Sequence, residues 1–208
     1  MENYPDFRYE EEAYNLGFSN VAGVDEVGRG SLFGPVVAAA VYIPPEEVGV
    51  FMGRLKDSKK LSENNRIKLA REVVSKCSVG LGIMDNKVID DINILEATRL
   101  AMRLALYDLE IYDFVFIDGT VTLDGIASPQ QQVIKGDNKV ISIAAASVVA
   151  KVIRDNMMKE LVIDNSKFML YNIHKNKGYG TVEHREAIAL YGPTELHRLT
   201  FKGVKEYA

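Results

Sequence analysis

The segment from Val21 to Pro35, VAGVDEVGRGSLFGP, constrains this chain more than any other. An apolar strand pattern runs into two adjacent carboxylates, Asp25 and Glu26, and then into glycines flanking Arg29. Carboxylates in that place can hold a hard cation, and glycines let a phosphate approach the backbone. Spacing excludes the two neighbouring kinds of glycine-rich phosphate turn: no GxxxxGK[ST] is present, and Gly28, Gly30 and Gly34 miss the GxGxxG register by one. The residues after the glycines exclude them too, because Pro35 opens PVVAAAVYIP, which reads as a second strand and not as a helix. Asp25 and Glu26 are thereby predicted where a first strand meets a glycine hairpin.

Strands are expected over 21–26, 35–43, 79–84, 113–117 and 131–135. Ser62 is placed to cap a helix running to about Cys77, and Asn93 with Glu96 three residues on resembles a capping box. Ile94, Ala97, Ala101, Leu104 and Ala105 recur at helical spacing and predict the inward face of that second helix. A third helix is predicted from about Ile141 to Leu161. A fourth opens at Thr181, with Glu183 in its first turn, and stops at Gly192-Pro193. Antiparallel strands first, βα alternation next and helices last give an α/β class.

At 208 residues the chain fits one domain, able to bury roughly 70% of its unfolded surface. The single cysteine, Cys77, excludes an intramolecular disulfide and any cysteine-rich zinc site. No run of 18 uninterrupted apolar residues exists, and the N-terminus is acidic where a signal peptide is basic, so a cytoplasmic protein without membrane contact is expected. The net charge of -4 argues at first against a nucleic-acid partner. Its distribution weakens that objection: Glu2, Asp6, Glu10, Glu11 and Glu12 against Arg8 account for the whole excess, and the remaining chain balances. From Lys175 onward bases outnumber acids, with His184 and His197 in addition.

Two more carboxylates fall where they could join the first pair. FVFID delivers Asp118 at the end of an apolar strand, just before Gly119, although an Asp-Gly turn explains the same pattern. Asp155 follows Ser147 and Lys151 at four-residue intervals on one face of the third helix; an ordinary surface acid is the alternative. If these acids converge, an all-oxygen set suits Mg²⁺ or Mn²⁺ better than zinc or copper. Two such ions about 4 Å apart can clamp an in-line phosphodiester displacement. Alternation on a regular strand points Asp25 and Glu26 to opposite faces, so Asp25 is the safer ligand unless Gly28 ends the strand.

The strings VAGVDEVGRGSLFGPVVAAAVYIP, DSKKLS, INILEATRLAM, FIDG, KGDNKVISIAAASVVAKVIRD, NKGYGTVEHREAI and YGPTELHRLTF resemble, in order and spacing, the type 2 ribonuclease H family, ribonuclease HII, across residues 20–203. The resemblance implies a ribonuclease H-like fold: a mixed central sheet flanked by helices, with a C-terminal helical extension. It implies one catalytic domain over 20–208, of which about 165–208 is the helical part, after an acidic segment at 1–19. It further implies Mg²⁺- or Mn²⁺-dependent endonucleolytic cleavage of RNA in RNA/DNA hybrids, and 5′ to ribonucleotides embedded in duplex DNA. The products are a 3′-OH and a 5′-phosphate, and the role is ribonucleotide removal.

Carried over by position, the family's metal-binding and catalytic acids fall on Asp25, Glu26, Asp118 and Asp155. Gly28, Arg29 and Gly30 match its junction-reading loop, with the ribose 2′-OH within reach of backbone groups. Tyr179 matches the tyrosine that meets the ribonucleotide and the sugar after it. Lys59, Lys60, Lys135, Lys139, Lys151 and Arg198 are candidate phosphate contacts, and Ser147 a candidate substrate contact. His184 and His197 read as structural or phosphate-adjacent. A monomer is expected; a sliding clamp is left as a possible partner without a clear motif. The chain departs from the family at Val27 and Ser31, where alanine and proline are usual, and at Asn176, where histidine is usual. The sister family ribonuclease HIII fits less well, since Arg29 stands where lysine is expected and no room remains for its extra N-terminal domain. A non-catalytic nucleic-acid-binding module has no need of four acids beside phosphates. A small-molecule phosphohydrolase has no need of the GRG loop.

Overall fold

In the computed structural model, which describes residues 4–55 and 62–208, five strands form one mixed sheet: β1 Val21–Val27, β2 Val36–Tyr42, β3 Ser78–Met84, β4 Phe114–Asp118 and β5 Gln130–Val133. Their order is β3-β2-β1-β4-β5, with β1 antiparallel to β2, β2 antiparallel to β3, and both β1–β4 and β4–β5 parallel. All five lie within a few residues of the expected spans, because apolar runs bounded by turn residues carry a strong signal.

The helices are α1 Arg8–Asn15, α2 Val48–Phe51, α3 Glu63–Lys76, α4 Asn86–Leu109, α5 Ile141–Asp164, α6 Ile173–Asn176 and α7 Val182–Tyr191. One face of the sheet is covered by α4, whose Ala97, Ala101, Met102, Ala105, Leu106 and Leu109 are buried against Ala22, Val24, Ala38 and Ala40. The other face is covered by α5 and α3, where Ala145, Val148, Val149 and Val152 meet Ala39, Val41 and Val73. A third cluster joins Leu32 and Phe33 of the glycine hairpin to Met158 of α5 and to Phe168, Tyr171, Ile188 and Val204 of the C-terminal part. No helix among the described residues is long and apolar enough to cross a membrane.

Ser62 caps α3 by accepting from Asn65 N, and Thr181 caps α7 by accepting from His184 N. Asn93 behaves differently from a simple start signal. It sits at φ 67° inside α4, where its side chain accepts from Leu95 N and Glu96 N and restarts a helix that Asp85 had already capped. The turns from Asn86 to Ile92 are therefore helical ahead of the predicted start. Leu104 is exposed, and Met102, Leu106 and Leu109 take the inward positions instead.

The acidic N-terminal residues also form structure. Helix α1 lays Ala13 against Val21, Phe114 and Phe116, and it buries Glu10 beside the first turn of α5. The Glu10 carboxylate accepts from Ser142 N at 3.0 Å and from Ser142 Oγ at 2.6 Å, capping a helix whose own N-cap residue, Val140, contributes no side-chain cap. Its other oxygen has no partner, and burial pushes the carboxyl up to about 7.

Candidate active site

The position of Asp25 follows from strand pairing. Val24 lies opposite Ile117 in the parallel β1–β4 register, so the next residues, Asp25 and Asp118, emerge side by side where both strands end. Ligand sites in such sheets gather at the carboxyl ends of parallel strands. Alternation points Ala22 and Val24 at α4 and turns Gly23 and Asp25 towards α5. Gly23 permits this approach, since a Cβ there falls 2.3 Å from the backbone of Ser142 and Ile143. The Ser147 hydroxyl, one helical turn further on, hydrogen-bonds to Asp25.

Asp25, Glu26, Val27, Asp118, Asp137, Ser147, Lys151 and Tyr179 line one cavity of about 440 Å³. Asp25 Oδ1 accepts from Glu26 N at 2.7 Å, and Glu26 pairs with Arg29 at 3.1 Å. Asp118 Oδ1 accepts from Gly136 N at 2.7 Å, which brings the neighbouring Asp137 into the cavity. Burial pushes the Asp25 carboxyl well above its ordinary range, and repulsion from Glu26 and Asp118 adds to it. Burial also raises Glu26, partly offset by Arg29. Asp25 and Glu26 both line the cavity although β1 runs in regular register through both of them to Val27, and Gly28 turns the chain at φ 95° only after that.

Asp155 is the exception among the four predicted acids. It does not line the cavity; it lies one turn beyond Lys151, accepting from Lys151 Nζ at 2.8 Å, with Arg66 at 3.8 Å. The rise of 1.5 Å per residue puts it about 12 Å along the helix from Ser147. Asp137, which sequence reasoning passed over within KGDNK, takes a place in the cavity instead. Its signal was present: the glycine before it lets the turn close on Asp118, just as Gly119 follows Asp118.

The glycine hairpin is held from beneath by two arginines with no exposed surface. Arg154 donates to Pro35 O, Phe33 O and Lys177 O, while Arg198 donates to Gly34 O and Arg29 O. Arg198 is thus a fastening of the hairpin and not a phosphate contact; within the mixed string LHRLT nothing in the sequence marks the arginine as buried. Arg29 and Gly30 are exposed at the tip. A Cβ on Gly28 meets Arg154 Nε at 2.3 Å, whereas one on Gly30 meets nothing within 4 Å. Tyr179 is tied to the hairpin by a bridge to Ser31, and its ring lies 5.8 Å from Lys151 Nζ and 5.5 Å from the Arg154 guanidinium carbon.

The remaining predicted contacts separate cleanly. Ser147 faces the cavity but is bonded to Asp25, and Lys151 reaches the cavity while paired with Asp155. Lys135 and Lys139 are exposed outside it. Lys59 and Lys60 lie outside the described residues. Asn176 spends its amide internally, donating to Tyr171 O and accepting from Gly178 N, so it braces the turn before Tyr179 rather than facing a substrate. Ser31 is fully buried with its hydroxyl unpartnered.

By chemistry the cavity suits a hard divalent cation, since it offers four carboxylates and neither thiol nor imidazole. Among the described residues no three such side chains are yet drawn around a single point. Each of Asp25, Glu26 and Asp118 holds a donor from the protein itself.

The family model described as ribonuclease HII matches residues 22–204. Ribonuclease HII of Acetivibrio thermocellus is 50% identical over 195 residues, covering 93% of this chain and 73% of that one. The enzyme of the same name from Bacillus subtilis is 48% identical over 202 residues, covering 96% and 76%. The crystal structure of ribonuclease H2 from Pyrococcus horikoshii has the same fold, with a TM-score of 0.76 at 24% identity over 91% of this chain and 97% of the other. Acids side by side at the ends of two parallel strands, under a glycine hairpin and in a chain so similar to these enzymes, mark a member of the ribonuclease HII family, metal-dependent endoribonucleases that hydrolyse RNA in RNA/DNA hybrids.

Proposed function

We propose that this chain cleaves the phosphodiester on the 5′ side of a ribonucleotide in duplex DNA, as well as RNA in hybrids, with Asp25, Glu26, Asp118 and Asp137 as its metal-binding acids. The observation that carries this reading is the delivery of Asp25 and Asp118 together by the β1–β4 register, with Gly136 N bonded to Asp118 beside Asp137. Bound Mg²⁺ or Mn²⁺ supplies charge neutralisation and lowers the pKa of the attacking water. The chain's own groups do the rest. Asp25 is fixed by Ser147 and by Glu26 N, which orients its carboxylate in the cavity. Arg29, at the exposed tip, exchanges its bond to Glu26 for a phosphate, which at the same moment frees that carboxylate for a cation. Lys151 supplies a second positive group on the cavity wall, held at its place by Asp155. Gly30 leaves the exposed tip of the hairpin free to meet the ribose 2′-OH, the one group that distinguishes RNA from DNA there, while Gly28 lets the chain turn over Arg154, and Tyr179 offers a ring to the sugar beside the tip. A cytoplasmic monomer completes the reading.

The test is incubation of the purified protein with a duplex carrying one ribonucleotide, in Mn²⁺ or Mg²⁺ and then in EDTA. Cutting 5′ to the ribonucleotide in metal alone is expected. Equal inertness in both conditions defeats the proposal.

A further inference from the structure

Behind Tyr179 runs a chain of hydrogen bonds whose direction is fixed by one backbone donor. Thr194 N–H donates to His197 Nδ1 at 2.9 Å, so that nitrogen carries no proton. A neutral His197 then holds its proton on Nε2, which stands 3.1 Å from His184 Nε2. His184 Nε2 is accordingly the acceptor, and its Nδ1–H is left to donate to the carbonyl oxygen of Tyr179 at 2.9 Å. Both rings have no exposed surface, and burial lowers the pKa of each, to about 3 for His197, so the neutral forms persist. The same carbonyl accepts from Thr181 N at 2.8 Å, and Tyr179 N donates to Asn176 O at 3.0 Å. His197 also packs edge-on against Phe33 of the hairpin at 5.1 Å.

We infer that His184 and His197 are positioning residues for Tyr179: the directed pair of imidazoles transmits the placement of the Thr194–His197 segment, which is paired with the hairpin, to the tyrosine that faces the cleavage junction. The inference rests on the proposed role of Tyr179 at that junction. Neither histidine touches the cavity, and neither transfers a proton in the reaction. Their contribution is to hold the Tyr179 backbone in one register with Ser31, which it bridges, so that ring and glycine hairpin present a single surface to the sugar.

The test is a double-mutant cycle on the single-ribonucleotide duplex, with unfolding followed in parallel. His184→Leu removes the donor, whereas His184→Asn keeps an N–H where Nδ1 stood. The expected result is a loss of about tenfold in kcat/KM for His184→Leu, partial recovery in His184→Asn, and less than about twofold further loss when His184→Leu is added to Tyr179→Ala, since residues acting through one another are not additive. Additive losses overturn the inference, as does His184→Leu with full activity. Rates are normalised to the folded fraction; if His184→Leu does not fold, the cycle is run with His197→Gln, and additivity there overturns the inference equally. An inactive parent protein sinks the proposed function itself, and a fully active Tyr179→Ala removes the tyrosine's role, so the failures are distinguishable.

Discussion

Gly28 and Gly30 sit two residues apart in the same hairpin, yet their surroundings give them opposite reasons for being glycine. At Gly28 the backbone is at φ 95°, where an L-residue with a Cβ is disfavoured by about 1–2 kcal/mol. The added methyl also meets Arg154 Nε at 2.3 Å, Arg154 Cδ at 2.8 Å and Pro35 O at 2.9 Å. Arg154 cannot retreat without breaking a buried, charge-assisted bond to Pro35 O, worth about 1.5–3 kcal/mol. Gly28→Ala is therefore expected to destabilise the fold by about 2.5–5 kcal/mol, a large share of the stability of an ordinary domain. At Gly30 no atom lies within 4 Å of the new methyl, and Gly30→Ala is expected to change stability by less than about 0.5 kcal/mol. The exposed tip is where the backbone is proposed to meet the ribose, so the same silent change is expected to lower kcat/KM on a ribonucleotide-containing duplex at least tenfold. Urea unfolding and the cleavage assay, run on both variants, separate the two effects. A Gly28→Ala protein as stable as its parent refutes the steric argument, and a Gly30→Ala protein that is fully active refutes the backbone-contact argument.

The acids of the cavity and of the helix should behave differently: Asp118→Asn and Asp137→Asn are expected to reduce cleavage to background, whereas Asp155→Asn, acting through its partners Lys151 and Arg66, costs no more than about 10–100-fold in kcat. Glu10 makes stability depend on pH. Its folded pKa of about 7 lies above the ordinary 4.5, so the neutral form favours the fold, and that contribution is full below about pH 4.5 and lost as pH rises towards 7. The loss is on the order of 3 kcal/mol, and Glu10→Gln should flatten it in urea midpoints measured across that window. Ser31→Ala removes a buried hydroxyl that has no partner, and a stabilisation of about 1 kcal/mol is expected in the same unfolding assay.

How much could be read from the sequence depended on the length scale of the signal. The strands were legible because β1, β2 and β4 are apolar runs closed by glycine, proline or aspartate, and each of those punctuations acts on the residue beside it. The caps of α3 and α7 were legible for the same reason. Helix α1 was hidden, because its only fully buried side chains are Ala13 and a glutamate, and an acid read from composition gives no sign that it caps another helix 132 residues away. Arg154 and Arg198 were hidden likewise: nothing near them in the sequence says that five backbone carbonyls of distant segments wait for their donors.

The fourth acid shows where helical periodicity ends as a guide. Ser147, Lys151 and Asp155 share a stripe of α5, and a stripe fixes direction around the helix axis without saying how far along it a cavity extends. The sheet supplies that missing coordinate. Asp25 meets Ser147, which anchors the cavity at that level of the helix. Lys151, one turn on, spans the gap with its long side chain, but Asp155, a further turn away, has too short a reach and turns to Lys151. Asp137 solves the same problem from the other end, because it precedes the helix by four residues and the Gly136–Asp118 bond fixes its height directly to the end of β4. An acid placed by a strand end or by a turn bonded to one is therefore the better candidate for the site than an acid placed by a helix face, and the paired Asn variants at Asp137 and Asp155 weigh that rule in a single assay.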